Sequence, residues 1–149
     1  MAFTLNYLHF KILKVIIDNN DVLLLEAISV NITIVYTHSY LLSEVREVYD
    51  IRNGQICIAE VIWPVGGAGA PASLNDLAHL KGDIMVDNGR YIVINAGYCL
   101  GKSLAIGTAF MNDWEVFING YRITEGKEIR FELGEINGFQ YIMAKIGFK

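Results

Sequence analysis

Charge is scarce in this chain, and what there is of it is scattered. Only 19% of the 149 residues are charged, against about 25% in ordinary soluble domains. The net charge is −4, and no run of Lys or Arg makes a stripe that could neutralise phosphates, so nucleic acid is not an expected partner. The three histidines, His9, His38 and His79, stand far apart and away from either cysteine. No metal-ligand spacing results, and neither a metal nor another cofactor is expected. There is no serine nucleophile elbow and no paired-carboxylate motif, so the expectation is a protein that is not an enzyme. The longest uncharged stretch, Ala27 to Ser43, is interrupted by Asn31, Thr33 and His38, which makes it too short and too polar to cross a membrane as a helix.

Cysteine is nearly absent as well. Cys57 and Cys99 are the only two, and the N-terminus lacks the basic region and clean apolar core of a secretory leader. On that ground both are expected to be reduced thiols of a protein not exported by a signal peptide, in the cytoplasm or inside an assembled particle such as a virion.

Apolar residues, by contrast, are plentiful. They make up 53% of the chain, with a mean hydropathy of +0.35, which is more apolar surface than one small domain easily hides. The length fits a single domain over 1–149. The surplus points to burial between subunits, because obligate interfaces resemble a core cut in half.

The chain is punctuated by one dipeptide used four times: Asn53-Gly54, Asn88-Gly89, Asn119-Gly120 and Asn137-Gly138. Chance would place about one such pair, and Asn-Gly accepts the two positive φ angles of a type I′ turn, so each predicts a hairpin. The first predicts a register that puts Arg52 opposite Gln55, Ile51 opposite Ile56 and Tyr49 opposite Ile58. The second joins Asp83–Val86 to Tyr91–Ile94, with Ile84, Val86, Tyr91 and Val93 on one face. The last two predict a C-terminal meander of Trp114–Ile118, Tyr121–Thr124, Glu128–Glu135 and Phe139–Phe148, with Ile129, Phe131 and Leu133 packed against Ile142, Ala144 and Ile146.

Earlier in the chain, residues 3–17 shift apolar phase from Phe3, Leu5 and Tyr7 to Leu8, Phe10 and Ile12, as a bulged strand would, and Asp18–Asp21 reads as the hairpin loop after it. From Ile28 to Tyr36 the alternation predicts a strand with one polar face. Lys102 to Phe110 reads as a further strand with Leu104, Ile106 and Phe110 inward. Residues 64–72 form a Gly/Ala/Pro stretch without periodicity, a mobile loop or arm. Ser73 with Asp76 three residues on resembles a capping box, opening a short helix near 73–81 with Gly82 as its stop. The fold class expected is all-β, an antiparallel sandwich or partly open barrel of roughly ten strands with that single helix.

Three patterns could carry chemistry. Ala96 to Ser103 has the spacing of a phosphate loop, in which backbone N–H groups around Gly101 would cradle phosphates, Lys102 would reach the terminal one and Ser103 would hold magnesium. The preceding run is committed to an antiparallel hairpin, however, whereas a phosphate loop joins a parallel strand to a helix. Gly67-x-Gly69-x-x-Ala72 superficially matches a dinucleotide fingerprint, but Pro71 lies within it. Trp63 and Trp114 could offer aromatic faces to a sugar or another small ligand.

The functional expectation is a structural or assembly module that packs with itself or with other structural subunits, such as a virion, tail or appendage component. Its partner-contacting arm would be Val65, Gly66, Gly67, Ala68, Gly69 and Ala70, which carry small apolar bulk and no acid, base or nucleophile. A ligand-binding β domain is the alternative, and nucleotide binding through 96–103 the third.

Overall fold

The computed structural model describes residues 7–38, 42–66, 71, 73–107, 112–123 and 128–146. Two antiparallel sheets face each other as an open sandwich, not a closed barrel. The smaller sheet holds β1 (His9–Ile17), β2 (Asn20–Glu26), β9 (Ser103–Gly107) and β12 (Glu128–Asn137), in the order β2-β1-β12-β9. The larger holds β3 (Asn31–Thr37), β4 (Glu44–Arg52), β5 (Gln55–Pro64), β6 (Asp83–Asp87), β7 (Arg90–Ile94), β10 (Asn112–Ile118) and β11 (Tyr121–Arg122), in the order β11-β10-β3-β4-β5-β7-β6. A short strand, β8 (Cys99–Gly101), pairs with β5 off that path.

The core lies between the sheets. Leu13, Val15, Ile129 and Phe131 face Ile32, Ile34, Ile56, Val61 and Val93 in one cluster, most of them with no exposed surface at all. Each such side chain withdrawn from water contributes about 1.5–3 kcal/mol. A 3-10 helix, Leu74–Leu80, adds Leu77 and Leu80 to the same cluster. The Asp76 carboxylate accepts from the Ser73 N–H at 2.9 Å, as the sequence signature requires. The stop differs from expectation: Lys81 takes the left-handed conformation at φ 56. Gly82 serves another need, since a Cβ there would collide with the Ile94 carbonyl oxygen.

Three Asn-Gly pairs make the predicted turns, with positive φ at both residues: 51 and 73 at Asn53-Gly54, 48 and 73 at Asn88-Gly89, 51 and 82 at Asn119-Gly120. The β4–β5 register places Arg52, Ile51 and Tyr49 opposite Gln55, Ile56 and Ile58 as expected. The β6–β7 pairing likewise sets Ile84 opposite Val93 and Val86 opposite Tyr91. A fourth tight turn is made by Asp18 (φ 49) and Asn19 (φ 65), shortening the expected four-residue loop to two.

Asn137-Gly138 is not a turn. Asn137 ends β12 and caps α1 (Gly138–Lys145): its Oδ1 accepts from the Gln140 N–H at 2.9 Å, and the Gln140 side chain accepts from the Asn137 N–H at 3.1 Å. The expected last strand is therefore a helix, the second in the fold, and Ile142 and Ala144 do not face β12 as strand partners. The meander is corrected with it: β10 pairs with β3 and β11, whereas β12 crosses to the other sheet and pairs with β1 and β9.

α1 explains the phase of β1. Leu13, Val15 and Ile17 point into the sandwich, while Phe10, Ile12 and Ile16 point to the other face. There α1 lies across β1 and β12, and Tyr141 stacks on Phe10 with centroids 4.3 Å apart. Tyr141 also hydrogen-bonds Glu26 of β2. A strand covered on both sides reads as a near-continuous apolar run. The irregularity in β1 lies at Val15/Ile16 against β2, while Leu8 precedes the strand and most of the first half of the phase shift read there falls on residues outside those described. Ile28 stands before β3 and is exposed, so the inward run begins at Val30. Phe3, Leu5, Phe110 and Thr124 lie outside the described residues.

The cysteines are not free thiols. Cys57 and Cys99 are direct partners in the β5–β8 ladder and are joined as a disulfide, so the expected pair of reduced thiols is corrected.

Candidate functional site

Two kinds of surface stand out, outward apolar faces and one cleft. Phe139 and Ile142 on α1 and Ile146 at its C-cap recur at intervals of three and four and so lie toward one side of the helix. They are 53%, 41% and 58% exposed. On the far side of the molecule, the outward face of the larger sheet aligns Val35, Arg46, Ile62, Ile92 and Met85 as successive cross-strand partners over β3, β4, β5, β7 and β6. Four of those five are apolar, where a solvated antiparallel face normally carries polar residues.

The cleft, about 790 Å³, opens between the sheets beside the Asn53-Gly54 turn. It arises because strand phase outruns the apolar core. The alternation that turns Leu13 inward on β1 also turns Lys11 inward, and the alternation that turns Leu133 inward on β12 does the same for Glu135, the cross-strand partner of Lys11. Lys102, on the bend between β8 and β9, borders the same space, and its carbonyl accepts from the Leu133 N–H at 2.8 Å. Ile51 and Leu133 give the cleft apolar wall, and Ser29 and Asn53 give it neutral polar groups.

A third constellation is internal. Glu47 stands on the inward face of β4 between Ile34 and Val61. It accepts from the Tyr49 hydroxyl at 2.6 Å and from the Trp63 indole N–H at 3.0 Å. Burial first, and the Glu47 charge second, push the Tyr49 and Tyr36 phenols well above their ordinary range.

The residues singled out in the sequence are only partly brought together. Gly101 ends β8 at φ 101 and Ser103 begins β9, so a strand and not a helix follows the 96–103 segment. Of that motif Gly101 and Ser103 do not border the cleft, and Lys102 does. Trp63 and Trp114 are partly buried and packed against the core, with the Trp63 N–H committed to Glu47. Val65 and Gly66 come directly after β5, with Val65 exposed and Gly66 at φ 75, while Gly67, Ala68, Gly69, Ala70 and Ala72 lie outside the described residues. Among the described residues no cluster of three His, Cys, Asp or Glu could hold a metal, and no helix is long and apolar enough to cross a membrane.

Sequence reasoning passed over Lys11, Glu135 and Glu47. The signal for Lys11 was present: a cation in phase with Leu13, Val15 and Ile17. No family model matches the chain, and comparison with curated proteins and with solved structures finds no match.

Proposed function

We propose that the chain is a non-enzymatic structural module that assembles with copies of itself or with neighbouring subunits in a larger particle, of the kind that builds virions, tails or appendages. The observation that carries this reading is the stripe of Phe139 and Ile142 on α1 continued by Ile146 at its C-cap, three large apolar side chains about half exposed. An amphipathic helix ordinarily turns such a stripe toward a core. Here the core-side contact is made by Tyr141 on Phe10, and the stripe faces away.

The Ile62–Ile92 row lies on the opposite outer face of the layered stack. Two unlike apolar surfaces on opposite sides favour head-to-tail contacts, which close into rings or run on as filaments. The test is molar mass by light scattering across a concentration series, for the parent, Ile142→Lys and Ile92→Lys. The parent should be larger than a monomer, and both outward-face variants should shift toward the monomer with far-ultraviolet circular dichroism unchanged. A parent that stays monomeric up to the millimolar range sinks the reading.

A further inference from the structure

The cleft holds charges that the fold leaves unused. Ion pairs join Arg52 to Asp50, Arg122 to Glu115 and Arg130 to Glu128 and Glu132. The side chains of Lys11, Lys102 and Glu135 take no part in those contacts. Lys11 and Glu135 are direct cross-strand partners on one face, a placement from which opposite charges commonly pair. Here they do not, and both border the cleft with Lys102.

We propose that this cleft binds an acidic sugar of the hexuronate type. Two ammonium groups and one carboxylate leave a net charge of +1 at the cleft, which matches a monoanion. The sugar carboxylate would lie between Lys11 and Lys102, ring hydroxyls would donate to Glu135 and hydrogen-bond Asn53, and the C–H face of the ring would rest on Ile51 and Leu133. At about 790 Å³ the space falls in the usual range for small-ligand sites, about 300–1,000 Å³. A neutral sugar would leave both lysines without an anion. A phosphate monoester, a dianion, would set its second charge against Glu135. The site stands independently of the assembly proposal, since neither α1 nor the outward sheet face contributes to it.

The experiment is titration of the intact protein with sodium glucuronate at low salt, monitored by amide NMR shifts, with glucose and glucose 6-phosphate as parallel probes. Glucuronate should saturate, with the largest shifts at Gly54 and Gly134, and raising the salt should weaken it, because both lysines are exposed. Lys11→Gln and Lys102→Gln should each weaken glucuronate about tenfold, as loss of one charge-assisted hydrogen bond does. Glu135→Gln should strengthen glucose 6-phosphate by a larger factor than glucuronate, because the dianion is relieved of more repulsion while the sugar acid exchanges a charged acceptor for a neutral one. Absence of saturation in the tens of millimolar range overturns the proposal. So does equal binding of glucose, binding that survives both lysine replacements, or a parent that prefers glucose 6-phosphate.

Discussion

Tyr49 donates its hydroxyl to the carboxylate of Glu47, its neighbour two residues back on the same face of β4, at 2.6 Å. The bond places a charged acceptor in the inward row between Ile34 and Val61, where an apolar side chain would have served packing alone. With the Trp63 N–H on its other oxygen, Glu47 ties β4 to β5 through side chains as well as through the ladder.

Removing that acceptor should be costly, because two part-buried donors lose their partner together. Glu47→Ala is expected to lower unfolding free energy by about 2–4 kcal/mol, and Glu47→Gln by less, since an amide oxygen still accepts from one donor. Urea denaturation of both variants measures this. An alanine variant as stable as the parent would show that water replaces Glu47 without loss.

The same site sets an alkaline limit. The Tyr36 and Tyr49 phenols are held protonated in the fold, by burial and then by the Glu47 charge, whereas in the unfolded chain they ionise near pH ~10. A raised folded-state pKa contributes stability that is fully present below the unfolded value and is lost as pH climbs toward the folded one. Stability should therefore hold up to about pH 10 and fall above it. Near-ultraviolet titration should show two phenols that ionise only as circular dichroism is lost. Ionisation of every tyrosine in a chain that keeps its fold would contradict this.

Asn53 and Asn137 precede glycine alike and do different work, so one substitution should separate them. Serine is a good helix cap and a poor resident of positive φ. Asn137→Ser should cost no more than a few tenths of a kcal/mol, while Asn53→Ser, forced to φ 51, should cost about 1 kcal/mol. Thermal or urea melts of the pair decide it, and equal losses would mean that one of the two assignments is wrong.

The disulfide closes a loop with a sequence separation of 42. Chain-entropy arguments give such a loop about 4 kcal/mol of stabilisation. The double variant Cys57→Ala/Cys99→Ala should lose a large part of that in guanidinium unfolding, and reduction of the parent should lower its midpoint similarly. A midpoint unchanged in both would show that β8 is held by its ladder with β5 alone.

The hairpins were legible because they are local: at Asn53-Gly54 two residues set the turn and the turn sets the register. Asn137-Gly138 misleads because it satisfies two local rules at once. Read with Gly138 it is a turn, and read with Gln140 it is a capping box; covering β1 with α1 decides the matter, and that is a long-range event. The disulfide was illegible for a related reason, since a spacing of 42 says nothing about which strands will meet. The cleft could have been suspected from Lys11, which keeps the phase of Leu13. Its other walls come from the turn before β5, the bend before β9 and β12 itself, and no single window of sequence contains them.

The disulfide also divides the chain topologically, into a covalent ring from Cys57 to Cys99 with two tails. The ring holds β6, β7, the 3-10 helix and nearly all of β5, all of it in or against the larger sheet. The smaller sheet is woven wholly from the tails: β1 and β2 from one, β9 and β12 from the other. A peptide bond cut anywhere inside the ring would leave both tails joined through β5 and β8, so in an oxidising medium protease damage there would separate no fragment and leave every strand of the smaller sheet attached. A cut in either tail has no such safeguard.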